Sequence, residues 1–180
     1  MAGILLCIAI IYKFSDRFVM NKHDLIQQLS LVEHIEGGYF TETHRSQETM
    51  STSREGKDRA LLTSIYYLLT SDRPIDHFHR NQSDIMHYFH LGSAITYLII
   101  EPSGRLEKMR LGLNFAEGEV AQLLVPGGYW KAAVLEKGEF GLLGEAVTPG
   151  FDYRDMEIAT ESYFKQQFPN LWDELKPYVH

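Results

Sequence analysis

Hydrophobic and polar positions along the chain fall into three regimes. Behind a capping Asn21, NKHDLIQQLSL sets Leu25, Leu29 and Val32 near helical spacing, which predicts a short helix over about residues 22–30. From Ala60 to Thr148 the period shortens. The runs LLTSIYYLL, DHFHR, IMHYFHL, AITYLII, RLEKMRL, EVAQLLV, YWKAAVL and FGLLGEAV are separated by turn segments such as TSDRP, RNQSD, EPSG and EKGE. This pattern predicts about eight antiparallel strands in a sandwich or small jelly-roll barrel, an all-β fold. In the last regime, TESYFKQQFPNLWDELKPYV, Thr160 and Ser162 are candidate caps. Tyr163, Phe164, Phe168, Leu171, Trp172 and Leu175 then form an apolar face, so one or two C-terminal helices are expected across the sheet.

Ahead of these regimes, MAGILLCIAIIYKF is apolar from Ala2 to Tyr12. It is well short of the ~20 residues that span a bilayer, has no basic residues before the apolar run and shows no clear cleavage site. Residues 1–19 therefore read as an N-terminal extension outside the core fold, and residues 20–180 as a single domain. A chain of 180 residues with 44% hydrophobic content can bury one sizeable core. Its formal net charge of −7 argues against nucleic acid as a partner, because phosphate-backbone affinity requires clustered Lys and Arg. The lone Cys7 can form no internal disulfide, which fits a reducing cytoplasm, and no membrane partner is expected.

Candidate chemistry concentrates in DHFHRNQSDIMHYFHLG, which holds His77, His79, His87 and His90 of the chain's eight histidines. In a regular strand His77 and His79 share one face and Phe78 takes the other, so the two imidazoles could hold one ion. His87 and His90 face opposite ways and read as rim or dimer-contact residues.

The chain resembles a cupin. His77-x-His79, Asp84 and Gly92 follow the first cupin motif, and Gly118, Pro126 and Gly128 follow the second, with Lys131 in place of its histidine. HIEGGYFTETHRS, LLTSIYYLL, FHRNQSD, VPGGYW and LLGEAVTPGFDYRDMEI together resemble the cupin family of unknown function DUF 985. The resemblance implies a double-stranded β-helix of the RmlC-like type, often dimeric, hence a homodimer. The family's SDE stands here as Ser83-Asp84-Ile85, so one expected glutamate is missing.

Those departures shape the expected site. His77, His79 and Asp84 would form a two-histidine, one-carboxylate metal set, and a divalent metal is the alternative cofactor. A protonated Lys131 offers no lone pair and repels a cation, so no cofactor is favoured. The preferred reading is a metal-free pocket for a small polar or anionic metabolite, such as a sugar, sugar phosphate or nucleotide-like molecule. Lys131, His77 and His79, with Arg45 or Arg80 nearby, would make its mouth cationic. The resemblance to RmlC-type epimerases suggests an isomerase or epimerase in which His79 and Asp84 form the base couple and Tyr39, Tyr88 or Tyr129 the acid. Glu42 is a candidate pocket residue or a structural partner of Arg45. The segment from Pro149 to Asp152 reads mainly as turn chemistry that leads the last strand out of the barrel, with no catalytic role expected.

Overall fold

The computed structural model of the protein describes residues 20–180. The N-terminal extension, with Cys7, lies outside them. Asn21 caps helix α1 (Lys22–Gln28) through its side chain, and Asp24 reaches back to the Asn21 amide. Four strands then precede the expected series: β1 (Val32–Glu33), β2 (Tyr39–Arg45), and the hairpin β3 (Thr49–Ser51) with β4 (Asp58–Ala60). The alternating runs become β5 (Thr63–Thr70), β6 (Ile75–Asn81), β7 (Asp84–Gly92), β8 (Ile95–Ile100), β9 (Leu106–Leu111), β10 (Gln122–Val125), β11 (Trp130–Val134) and β12 (Phe140–Thr148). A short β13 (Met156–Ile158) leads into helices α2 (Glu161–Gln167) and α3 (Trp172–Leu175).

Two antiparallel sheets, ordered β1-β2-β5-β12-β7-β10 and β13-β6-β11-β8-β9, face each other as a jelly-roll barrel. Period-two alternation sorts the side chains between barrel and outer faces. Tyr67, Leu69, Ile95, Tyr97, Leu123, Val125 and Leu143 fill the space between the sheets. Phe78, Leu98, Ile100, Trp130 and Ala132 point the other way, under Phe164 and Leu175 of the C-terminal helices. Helix α1 covers the outer face of the larger sheet through Leu25, against Leu68 and Leu142. No helix among the described residues is long and apolar enough to cross a membrane.

One irregularity decides what the barrel contains. Lys131 pairs with His79 but Ala133 pairs with Asp76, so His77 and Phe78 together oppose the single Ala132. This β-bulge shifts the alternation by one residue. Asp76, His79 and Asn81 are consequently the buried members of β6 that reach the barrel side, with exposures of 1%, 3% and 5%. His77 is turned aside.

Candidate functional site

The open cavity of the barrel has a volume of about 270 Å³. Its walls include Phe40, Ile65, Ile85 and Val147, and its floor carries Glu36, His79 and Glu145 with His34, Tyr67 and Asn81 alongside. Glu42, Arg45, Phe151, Asp152 and Tyr153 also line it.

Glu36 enters through the Gly37-Gly38 turn. Gly37 has φ +123° and lies so close to β6 that a Cβ there would clash with the Ile75 carbonyl, a placement only glycine tolerates. His77 secures this loop: its amide donates to the Glu36 carbonyl at 2.7 Å, and its Nδ1 lies 2.9 Å from the same oxygen. The other side of the His77 ring stacks on His180, with centroids 3.9 Å apart. His77 therefore supports the site from outside the cavity.

The floor is a network of buried ionisable groups. Glu36 Oε2 lies 3.2 Å from His34 Nδ1 and 3.3 Å from His79 Nε2. His79 Nδ1 lies 2.8 Å from the His77 carbonyl. A carbonyl only accepts, so Nδ1 carries the proton and a neutral His79 turns the lone pair of Nε2 toward Glu36. Burial lowers the His79 pKa to about 4, against the opposing pull of Glu36. His34 moves the other way: burial depresses it, but the hydrogen bond and charge of Glu36 prevail and raise it.

Lys131 Nζ lies 3.2 Å from Asp76 Oδ2 and 3.7 Å from Glu145 Oε1. Burial opposes its charge, yet these carboxylates hold it above its ordinary range. Glu145 is held well below the usual carboxylate range because Lys131 and His87 outweigh its burial. His87 Nδ1 lies 3.2 Å from the Leu123 carbonyl, and its Nε2 is 3.4 Å from Glu145 Oε1.

His79 gives the fold a pH signature. Its folded pKa of about 4 lies below the unfolded 6.5, so between these values the unfolded chain binds more protons. Stability is expected to fall as pH drops through that window, by an amount on the order of 3 kcal/mol. His34, with its raised pKa, contributes the opposite slope. Urea unfolding at pH 7 and pH 5 isolates the His79 term if His79→Gln shows the smaller acid loss; an equal loss in both proteins contradicts the assignment.

The other sequence-derived candidates are dispersed. Asp84 is exposed on β7, where its carboxylate accepts from the Gly127 amide at 2.8 Å, while its neighbour Ile85 faces the cavity. Asp84 therefore does not join His79. Tyr88 lies on the opposite face of β7 from His87, Tyr39 packs beside helix α1, and Tyr129 sits near Lys131 in a separate small recess. The phenols that do line the cavity are Tyr153 and Tyr67, and the Tyr67 hydroxyl lies 2.6 Å from the Gly37 carbonyl and 3.1 Å from Asp76 Oδ1.

Glu42 and Arg45 do line the cavity, joined at 2.6 Å, and Arg45 also donates to the Phe151 carbonyl. The segment from Pro149 to Asp152 thus forms part of the wall as well as a turn. Asp152 is bound by Arg154 at 2.6 Å. Arg80 turns away, bonded to Glu157 and stacked over Trp130. The expected cationic mouth does not assemble, because Lys131 and the nearby arginines are each held by a carboxylate.

Glu36, Asp76 and His79 each place one ligand atom within 4.8 Å of the others. This is a possible metal triad, but the neighbouring chemistry opposes it. Asp76 Oδ2 already faces the Lys131 ammonium and Oδ1 the Tyr67 hydroxyl. A divalent ion about 5 Å from that ammonium would be repelled by roughly 7 kcal/mol at an effective dielectric near 20. His77 and Asp84 do not converge with His79, so the two-histidine set is not formed either.

A jelly-roll barrel with polar side chains converging inside it defines a cupin. Comparison with known families is more specific: the chain matches the Cupin superfamily (DUF985) model over residues 23–159, and it belongs to that family. It is 40% identical over 144 residues to an uncharacterized protein of Saccharomyces cerevisiae, covering 73% of this chain and 71% of that one. A hypothetical protein from Leishmania major superposes with a TM-score of 0.83 at 29% identity, covering 89% of this chain and 99% of that one. A protein of Shewanella oneidensis gives the same score at 34% identity, with coverages of 90% and 99%. Oxalate decarboxylase from Bacillus subtilis matches at a TM-score of 0.50 and 16% identity, over 81% of this chain and 36% of that one. That likeness concerns the fold alone.

Proposed function

We propose that the cavity binds a small, uncharged, multiply hydroxylated metabolite of the sugar class without metal. We further propose that His79 and Glu36 exchange a proton with it, as in isomerases and epimerases. One observation carries the reading: cations near the cavity are already held by carboxylates, while the floor presents acceptors. Lys131 is held by Asp76 and Glu145, Arg45 by Glu42, and Arg154 by Asp152. Among these described residues a phosphate would find no free cation. Hydroxyl groups, in contrast, can donate to Glu36, Glu145 and His79 Nε2.

Asn81 supplies the complementary donor. Its Oδ1 accepts from the Ser83 amide at 2.9 Å, while its buried Nδ2 has no partner among the described residues. His79 and Asn81 are two residues apart on the same side of β6, about 7 Å along the strand. They can therefore reach neighbouring groups of one small ligand. The proton step would take a hydrogen from carbon beside a carbonyl to His79 Nε2, with Glu36 stabilising the imidazolium formed. The electron pair would move to the carbonyl oxygen, where the Asn81 amide can donate. Return of the proton to the same carbon completes the exchange; its delivery to the former carbonyl carbon, while the neighbouring hydroxyl proton passes to the former carbonyl oxygen, completes an isomerisation.

Calorimetric titration with neutral aldoses and ketoses, and with their phosphate esters, tests the ligand class. Neutral sugars are expected to bind, with at least about tenfold loss in Glu36→Gln or Asn81→Ala. Tighter binding of the phosphate esters would refute the class. Incubating a bound sugar in D2O tests the chemistry: deuterium should enter beside the carbonyl, and His79→Ala should slow this by about 10²–10⁴. Binding without exchange would leave only a ligand-binding protein.

A further inference from the structure

We propose that Lys131 is a built-in cation that takes the place of a metal ion in this barrel and keeps divalent ions out of it. The inference rests on the metal-free reading above, but concerns what balances the floor rather than what the cavity binds. Lys131 occupies the position where the second cupin motif carries a histidine, and it pairs in register with His79 across β11 and β6. Facing cross-strand side chains lie close enough to share one ion. Here one of the two is an ammonium, itself only 2% exposed.

Its surroundings are those of a bound cation. Asp76 and Glu145 approach Nζ from β6 and β12, at 3.2 and 3.7 Å. Both carboxylates are buried, so each needs a positive partner to remain ionised. The ammonium meets that need within the chain and carries no lone pair to coordinate a metal. With Ile85 replacing the expected motif glutamate, a second potential ligand is also gone. The polar cluster thereby carries a permanent counter-charge of its own, independent of metal supply.

Titration with Co2+ at neutral pH, read by visible absorption and native mass, tests this directly. The full-length wild-type protein is expected to show no saturable Co2+ uptake in the cavity. Lys131→His removes the ammonium and places an imidazole opposite His79, and it is expected to take up a single Co2+. Adding His79→Ala to that variant should abolish the uptake. Saturable uptake by the wild type that disappears in His79→Ala would overturn the proposal, as would a folded Lys131→His protein that binds none. If Lys131→His does not fold, Lys131→Gln serves as the charge-removing variant and should gain Co2+ uptake; absence of a gain in that folded variant counts against the proposal. The sugar titration can fail without changing any of these results, so the two readings are separable.

Discussion

Replacing Lys131 by methionine is expected to cost about 3–5 kcal/mol of stability, because it strands two buried carboxylates. The side chain keeps an unbranched apolar stem, one atom shorter, but loses the charge facing Asp76 and Glu145. Urea unfolding at neutral pH measures the loss, and acidification supplies the diagnostic. In the variant, buried unpaired carboxylates have raised pKa values, so their protonation stabilises the fold as pH falls. In the wild type, the contribution of Glu145 is instead lost as pH falls below its ordinary value toward its depressed one. Asp76 is already raised by its burial in the wild type and the His79 loss is common to both proteins, so the variant is expected to lose less stability on acidification than the wild type. A loss under about 1 kcal/mol, with parallel slopes, would mean that Lys131 does not balance this network.

A comparable loss is expected at Asp155, remote from the cavity floor. This carboxylate accepts from Arg59 Nε at 2.8 Å and Nη2 at 2.7 Å, and from Arg54 Nη1 at 2.9 Å. Arg59 is itself only 3% exposed, so Asp155→Asn leaves a guanidinium buried without its counter-charge. About 3–5 kcal/mol should again be lost. Arg54 lies in the turn of the β3–β4 hairpin and Arg59 on β4, and Arg54 also donates to the Gln82 carbonyl. Amide hydrogen exchange should accordingly rise first across residues 49–60. Uniform acceleration throughout the barrel would show that Asp155 does not secure the hairpin separately.

Much of this architecture was legible in the sequence. The eight alternating runs match β5 through β12 to within a few residues, and the Asn21 cap and the C-terminal apolar face stand where their patterns put them. The β3–β4 hairpin was not read: DRA and TMS are short, polar segments whose stability comes from distant Asp155.

The site was legible only in part. His79 and Lys131 could be singled out by motif position, but strict alternation misplaced His77, because a bulge leaves no distinct signature in DHFHRN. Asp84, expected beside His79 from its motif position, lies instead on the exposed side of β7, and its neighbour Ile85 faces the cavity. Glu36, Asp76 and Glu145 were missed because a charged residue within a strand or turn ordinarily reads as solvent-facing. Here burial is compensated by partners that only the fold reveals: Lys131 for Asp76 and Glu145, and His34 for Glu36. The available clue to Glu36 was the Gly37-Gly38 pair immediately after it, which signals close backbone approach.

A native mass spectrum of the gently purified protein tests the central claim most directly, since it reads a retained metabolite and a bound ion at once. The expected result is a metal-free chain carrying, where the ligand survives purification, an added mass that fragments as a neutral polyhydroxylated molecule. A stoichiometric divalent ion, or a retained phosphorylated ligand, would contradict it.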